Sequence, residues 1–131
     1  MKKLILILIL TLSSNFSVAQ WKSFGKFSAG ELFIDPGKIV KQGHLMDVWY
    51  YVTFDVATQV PGQGKVQSVL FHSFQSCEQR TRTFSSIANY AGPNLAGPVT
   101  AIKTNGSSFV FEEIIPNSMD EVIFKFACAK K

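Results

Sequence analysis

Residues 44–55 read HLMDVWYYVTFD and decide the fold class. In an extended chain, alternate residues point to opposite faces, so one face of this segment would be apolar throughout. Its members are Met46, Val48, Tyr50, Val52 and Phe54. A period of two with β-branched and aromatic residues is typical of a β-strand. We expect the apolar face to lie in the core and the mixed face, which includes Trp49, to be partly covered.

The surrounding segments predict further strands. Residues 65–77 (KVQSVLFHSFQSC) have the pattern of a second long strand, and residues 57–64, with Pro61 and two glycines, predict a loop before it. Residues 31–34 and 39–41 predict short strands on either side of an Asp-Pro-Gly turn. The chain is therefore rich in antiparallel β-structure.

Two later segments predict turns and loops. Residues 91–98 (AGPNLAGP) contain two glycines and two prolines, and predict a loop of the kind that often carries binding contacts. Asn105-Gly106 lies between two β-rich runs, where both residues accept a positive φ, and predicts a hairpin turn.

The C-terminal segment has the features of an amphipathic helix. Ser118 and Glu121 have the spacing of a capping box, and Lys130 suits a helix C-terminus. A helical stripe is formed by Met119, Val122, Ile123, Phe126 and Ala127. A strand is the alternative, because Val122, Phe124, Phe126 and Cys128 alternate with period two. The agreement of cap, charges and stripe favours a helix that begins near Ser118.

The first 19 residues have the pattern of a signal peptide. Lys2 and Lys3 precede the apolar run Leu4–Leu12, and Ser17-Val18-Ala19 places small residues before a cleavage site. A membrane anchor is the alternative, but the apolar run is short of the ~20 residues that a span needs. We expect cleavage between Ala19 and Gln20, which leaves residues 20–131 as one domain. Because there is no cysteine at the cleavage site, we expect no lipid anchor and a periplasmic or secreted product.

The charge of the expected mature chain is small. Lys2 and Lys3 are the only charged residues before position 20, so their removal leaves 11 basic and 9 acidic residues and lowers the net charge from +4 to +2. The basic residues are scattered instead of forming a stripe, which argues against nucleic acid as a partner.

Cys77 and Cys128 are the only two cysteines. An exported chain allows them to form a disulfide, and only one intramolecular pairing exists. A buried free thiol or a catalytic nucleophile are the alternatives, and a nucleophile would need His44 or His72 as its base. The disulfide interpretation is favoured by the oxidising compartment.

The remaining chemistry-bearing residues give weak signals. His44 and His72 lie 28 residues apart without a spaced Cys or Asp partner, so we interpret them as surface or hydrogen-bonded histidines and expect no metal and no cofactor. Arg80 and Arg82 are predicted to lie on one strand face. An acidic partner is one explanation for them, and solvated charge at a sheet edge is the interpretation we favour. No catalytic residue is expected, and the chain is predicted not to be an enzyme.

The order of several short features resembles the surface-adhesin protein E family of Gram-negative bacteria. The features are Trp21, Phe33-Ile34-Asp35 followed by Ile39, Val48-Trp49, Ser68 leading to Cys77 with Arg80 and Arg82 behind it, and Pro116-Asn117-Ser118 through Glu121 to Cys128. The chain differs from the family in lacking a lipidation cysteine, and in having Phe111 for a frequent Trp and Asn117 for Gly.

The resemblance implies an α+β fold, in which an antiparallel sheet carries a C-terminal helix tied to it by a Cys77–Cys128 disulfide. It also implies a non-catalytic binding module for a protein ligand such as a host matrix or serum protein. A periplasmic inhibitor of a lysozyme-type hydrolase is the alternative function. An unidentified protein ligand is the expected partner, and a homodimer is a further expectation.

The leader pattern makes a prediction about processing. Mature protein recovered from the soluble periplasmic or secreted fraction should begin at Gln20, which N-terminal sequencing would show. A membrane-embedded product that still begins at Met1 would contradict it.

Overall fold

The computed structural model describes residues 20–105 and 109–130, which form one antiparallel sheet and one helix. The predicted signal peptide and Gly106 lie outside the described residues. The elements are β1 (Lys22–Phe27), β2 (Gly30–Ile34), β3 (Val40–Gln42), β4 (Leu45–Val60), β5 (Gly64–Ser76), β6 (Thr81–Tyr90), β7 (Val99–Thr104), β8 (Glu112–Glu113) and α1 (Met119–Ala129).

The sheet is a meander in which neighbours along the chain are neighbours in space. Its order is β1-β2-β4-β5-β6-β7, and each pair is antiparallel. β3 continues the line of β2 along β4, and β8 continues the line of β7 along β6. The chain therefore crosses the sheet once before α1 returns over one face. The predicted α+β fold is confirmed.

Strands β4 and β5 form a longer hairpin than the sequence predicts. The predicted loop at 57–64 is wrong, because β4 runs to Val60 and pairs there with Gly64 at the start of β5. Gly62 and Gly64 both have positive φ, which lets the chain reverse within the few residues between the strands. The pairing of β4 with β5 shifts register between Thr53 and Thr58, where β4 has more residues than the facing part of β5. The Pro-Gly cluster marks a tight turn and not a loop.

The predicted hairpin at Asn105-Gly106 is also wrong. β7 and β8 each pair with β6, and not with one another. The Asn105 side chain donates to the Phe84 carbonyl at 2.6 Å, and its backbone N–H donates to the Ser85 carbonyl at 3.1 Å. Asn105 therefore holds the chain against β6 after β7 ends.

The core lies between the sheet and α1. Met46, Val48, Tyr50 and Val52 are buried on β4 as predicted, whereas Phe54 is only half-buried. The four buried β4 residues form one cluster with buried residues from β2, the segment before β3, and α1. These are Leu32, Ile34, Ile39, Ile123 and Ala127.

The helix presents a face rotated from the predicted stripe. Val122 is 44% exposed, whereas Phe124, which the stripe omits, is only 6% exposed. Phe124 lies one turn before Cys128 on the same side of the helix, and the Arg80 guanidinium lies 5.2 Å from its ring centroid. The tie at Cys128 and the contact with Arg80 turn this side of α1 toward the β5–β6 connection.

The helix begins where the sequence predicts. The Ser118 hydroxyl accepts from the Glu121 N–H at 3.3 Å, and the Glu121 carboxylate accepts from the Asn117 N–H at 3.5 Å. Asn117 has φ of 60°, a left-handed conformation in which Gly is favoured and Asn is tolerated. This conformation explains why Asn can stand where relatives are expected to carry Gly.

A disulfide joins Cys77, just after β5, to Cys128 in the last turn of α1. Their Cα atoms are 5.7 Å apart, within the normal range for a disulfide, and the bond spans 51 residues of chain. The predicted tie between sheet and helix is confirmed, and neither sulfur is available as a nucleophile.

Breaking this tie should destabilise the domain. Cys128→Ser frees a long loop in the unfolded state and should lower the free energy of unfolding by about 2–4 kcal/mol, measured by urea denaturation. Reduction of the wild-type chain should produce a similar loss, and a variant as stable as the oxidised wild type would contradict the prediction.

Candidate functional site

The face of the sheet opposite α1 carries a continuous row of apolar side chains. The strand register places five apolar side chains side by side across it. They are Phe33, Tyr51, Leu70, Ala88 and Ile102. Since side chains of directly paired residues point to the same side, this row runs from β2 to β7. It marks the face opposite α1, which the segment at 91–98 covers only in part, over Tyr51 and Ser68.

A column of aromatic rings crosses this face between β4 and residue 109. The Trp49 ring stacks on His72 with centroids 4.0 Å apart and planes 6° from parallel. His72 contacts Phe74 at 5.2 Å, and Phe74 meets Phe109 edge-on at 5.9 Å. Trp49, His72 and Phe74 are half-buried, and Phe109 is exposed. The column is ordered by ring contacts and still faces solvent.

A second aromatic group lies on the same face near β1 and β2. Phe33 stacks on Tyr51 at 4.8 Å, and Trp21 packs edge-on against Tyr51 at 4.9 Å. We call the two groups together the outer aromatic face; it comprises Trp21, Phe33, Trp49, Tyr51, His72, Phe74 and Phe109. Large, rigid aromatic side chains of this kind are the residues that most often dominate protein–protein binding.

His72 is fixed at the centre of this face by a carboxylate. Its Nε2 lies 2.7 Å from Asp47 Oδ1, and both side chains are largely buried. The second oxygen of Asp47 accepts from the Gln42 amide at 3.3 Å. His72 is therefore a hydrogen-bonded histidine, as expected, and the bond to Asp47 holds the imidazole ring against Trp49.

The two histidines occupy separate surroundings. His44 is exposed and lines a cavity of about 350 Å³ with Lys41, Met46, Cys77 and Glu78, beside the disulfide. Across residues 20–105 and 109–130, no three His, Cys, Asp or Glu side chains come close enough to share a metal ion.

The predicted loop at 91–98 borders one end of the outer aromatic face. The Ser68 hydroxyl donates to the Gly92 carbonyl at 2.7 Å and accepts from the Leu95 N–H at 2.9 Å. The Tyr51 hydroxyl donates to the Asn94 amide oxygen at 3.4 Å. The loop is therefore fastened to the sheet, next to the aromatic rings.

Three consecutive exposed apolar residues border the other end. Phe109, Val110 and Phe111 are each more than a third exposed, and Phe109 reaches the aromatic column through Phe74. An exposed apolar segment beside ordered aromatic rings is typical of an interaction surface. Phe109 and Phe111 lie in the second of the two β-rich runs around Asn105-Gly106, where the sequence predicts a hairpin strand and not an exposed apolar segment.

The arginines do not form the predicted solvated edge. Arg80 has positive φ in the turn after β5, and β6, which holds Arg82, is paired on both sides. Arg82 donates to Asp120 at 3.0 and 3.1 Å and lies 3.3 Å from Glu112. The acidic partner of Arg82 is therefore α1 of the same chain, and not a ligand.

These charges stabilise the contact between helix and sheet. Partial burial acts to lower the pKa of Arg82, but Asp120 and Glu112 more than offset it, so the pKa is raised. Burial raises the pKa of the neighbouring Tyr50 phenol, and Asp120 adds to that rise. Arg82 therefore stays charged and Tyr50 neutral, as a structural contact requires.

A family comparison covers almost all of the described chain. The model of the family described as "Surface-adhesin protein E" matches residues 21–129. No curated protein sequence matches the chain. Within the described residues, no helix has the length and apolar character needed to cross a membrane.

Solved structures of Haemophilus influenzae protein E share this fold. In one crystal form, the similarity has a TM-score of 0.60 at 15% identity, over 87% of this chain and 98% of that chain. The protein from non-typeable Haemophilus influenzae gives a TM-score of 0.57 at 14% identity, over 86% of this chain and 83% of that one. At these identities the similarity shows the fold alone.

The stacking of His72 makes a prediction about stability. His72→Phe keeps a ring between Trp49 and Phe74 and loses the bond to Asp47, so it should cost about 1 kcal/mol of unfolding free energy. His72→Ala loses the ring contacts as well and should cost roughly 1 kcal/mol more. Urea denaturation of both variants measures the difference, and equal losses would show that stacking contributes nothing.

Proposed function

The chain belongs to the surface-adhesin protein E family, and we propose that it is an exported binding protein whose outer aromatic face contacts a protein ligand. The observation that carries the proposal is the ordered stack of Trp49, His72 and Phe74 on a face that α1 leaves uncovered. The ligand class is a host matrix or serum protein.

Preorganisation makes this face suited to binding. A side chain that is already held in one rotamer loses little conformational entropy when a partner arrives. The Trp49 ring is held by His72, and His72 is held in turn by Asp47. Trp49 can therefore act as a rigid anchor, while the exposed segment from Phe109 to Phe111 supplies adaptable apolar area.

The proposed activity is binding and not catalysis. The His72–Asp47 pair resembles part of a catalytic set, but catalysis would also require a nucleophile within hydrogen-bond reach of the imidazole. In the described part of the chain, Asp47 is the one side chain hydrogen-bonded to His72, and Cys77 is held in the disulfide. The pair is more simply explained as the support of the Trp49 ring.

We propose that the protein acts outside the cytoplasm, in the periplasm or after secretion. The leader pattern and the expected cleavage between Ala19 and Gln20 support this location. The disulfide supports it independently, because such bonds persist in oxidising compartments.

Binding should depend on Trp49. Mature wild-type protein and a Trp49→Ala variant would be tested on immobilised extracellular-matrix extract and on immobilised serum proteins. Truncating a central aromatic anchor costs about 2 kcal/mol or more, so affinity should fall at least about 30-fold.

Val56→Ser is the matched control, because Val56 is an apolar residue of β4 that is 75% exposed and does not belong to the outer aromatic face. It should bind like the wild type. Wild-type affinity in Trp49→Ala, with a folded domain by circular dichroism, would overturn the assignment of this face. If the wild-type protein binds neither the matrix extract nor the serum proteins, the proposed ligand class is contradicted.

A further inference from the structure

Asp35 is a carboxylate with only 2% of its surface exposed, at the gap between β2 and β3. Its Oδ1 accepts from the Gly37 N–H at 3.0 Å and caps the single turn Pro36–Lys38. A buried carboxylate is costly unless it is paired with a positive charge or well hydrogen-bonded. The partners of Asp35 therefore matter for the stability of this corner.

The second oxygen of Asp35 binds the start of the described chain. The backbone nitrogen of Gln20 donates to Asp35 Oδ2 at 3.1 Å. Trp21 holds the strand start in place by packing on Tyr51 at 4.9 Å. No ion pair within residues 20–105 and 109–130 involves Asp35, so backbone N–H groups alone compensate its charge.

We propose that Asp35 is the binding site for the α-ammonium group of Gln20 after leader removal, so that cleavage itself stabilises the folded domain. The inference rests on the processing step of the proposed function, cleavage between Ala19 and Gln20. A signal peptidase uses water to hydrolyse that peptide bond, which leaves a carboxylate on Ala19 and an ammonium on Gln20.

The geometry needs no rearrangement for this ion pair. In the uncleaved chain the Gln20 nitrogen is a neutral amide donor, already at hydrogen-bond distance from Asp35. Cleavage places a full positive charge on that same atom, and charge-assisted hydrogen bonds are roughly twice as strong as neutral ones. The gain falls on the folded state, because the unfolded chain does not hold the two groups together.

The side chain of Lys130 also reaches this corner. Lys130, after the end of α1, donates through Nζ to the Pro36 carbonyl. Its contact is with a backbone oxygen next to Asp35, and the carboxylate oxygens are bound by Gly37 and Gln20. Lys130 therefore provides a control for a general effect of nearby positive charge.

Two chains with defined N-termini test the proposal. One begins at Gln20 and the other at Ala19, both released from a cleavable fusion and oxidised to the disulfide form. They carry equal net charge, but the extra residue moves the ammonium about 3.8 Å along the backbone and restores a neutral amide at Gln20. Mass spectrometry would first confirm that the Gln20 amine is free and has not cyclised.

The chain that begins at Gln20 should have an unfolding equilibrium constant about fivefold lower, measured by urea denaturation. In an Asp35→Asn background the two starts should be equally stable. In Lys130→Gln the fivefold difference should persist. A double-mutant comparison of this kind isolates the pairing from the separate cost of each change.

Equal stability of the two wild-type starts would overturn the proposal, as would a difference that persists in Asp35→Asn or disappears in Lys130→Gln. Should Asp35→Asn fail to fold, acetylation of the Gln20 amine in the wild-type chain replaces it. Acetylation should remove the advantage, and unchanged stability would overturn the proposal. Because the fusion sets each N-terminus, the result is independent of cleavage in the cell and of ligand binding.

Discussion

A single helix of 11 residues must bury the apolar side of a sheet six strands wide, and its placement determines the rest of the structure. The Cys77–Cys128 disulfide fixes its C-terminal end, and the pairs that Arg82 and Arg80 make with Asp120 and Glu121 fix its N-terminal half. Partly buried charges are costly alone, so their pairing specifies one position for the helix. With α1 placed, Ile123 and Ala127 close the core over Val48.

The same constraint explains the outer aromatic face. Helix α1 covers one side of the sheet and the loop at 91–98 covers only part of the other, so the rest of that side has to limit its exposed apolar area through its own side chains. Stacked rings do this, since Trp49, His72 and Phe74 bury much of one another's surface. The same ring contacts therefore serve two purposes. They stabilise this face of the sheet, and they present a rigid surface to the proposed partner.

The gap between β2 and β3 is where the domain buries the carboxylate of Asp35. β2 and β3 are one line of pairing along β4, broken where Pro36 cannot donate to a ladder. Asp35 fills the break by capping the turn and by binding Gln20. Gln20 and, through Lys130, the C-terminal end of the helix thus meet at one corner of the sheet.

The sequence by itself determined the elements whose signals are local. The alternation of Met46, Val48, Tyr50 and Val52 was enough to predict β4 and its buried face, and Ser118 with Glu121 was enough to predict the start of α1. The presence of only two cysteines limited the disulfide to one pairing. The strand pattern and the helix cap depend on residues that are close in the chain. The disulfide was predictable for another reason, because two cysteines allow only one intramolecular pair.

Only the tertiary structure decided the features that depend on partners far apart in sequence. Helix α1 buries Phe124 and exposes Val122 because the bond to Cys77 and the contact with Arg80 hold one side of it toward the sheet. The apolar periodicity of the helix alone does not contain this information. Residues 57–64 complete a hairpin because strand pairing continues on both sides as far as Val60 and Gly64, so the Pro-Gly cluster that locally predicts a loop forms only the tight turn. The outer aromatic face likewise joins residues from Trp21 to Phe109, which register and packing bring together, since local propensity does not encode which strands become neighbours.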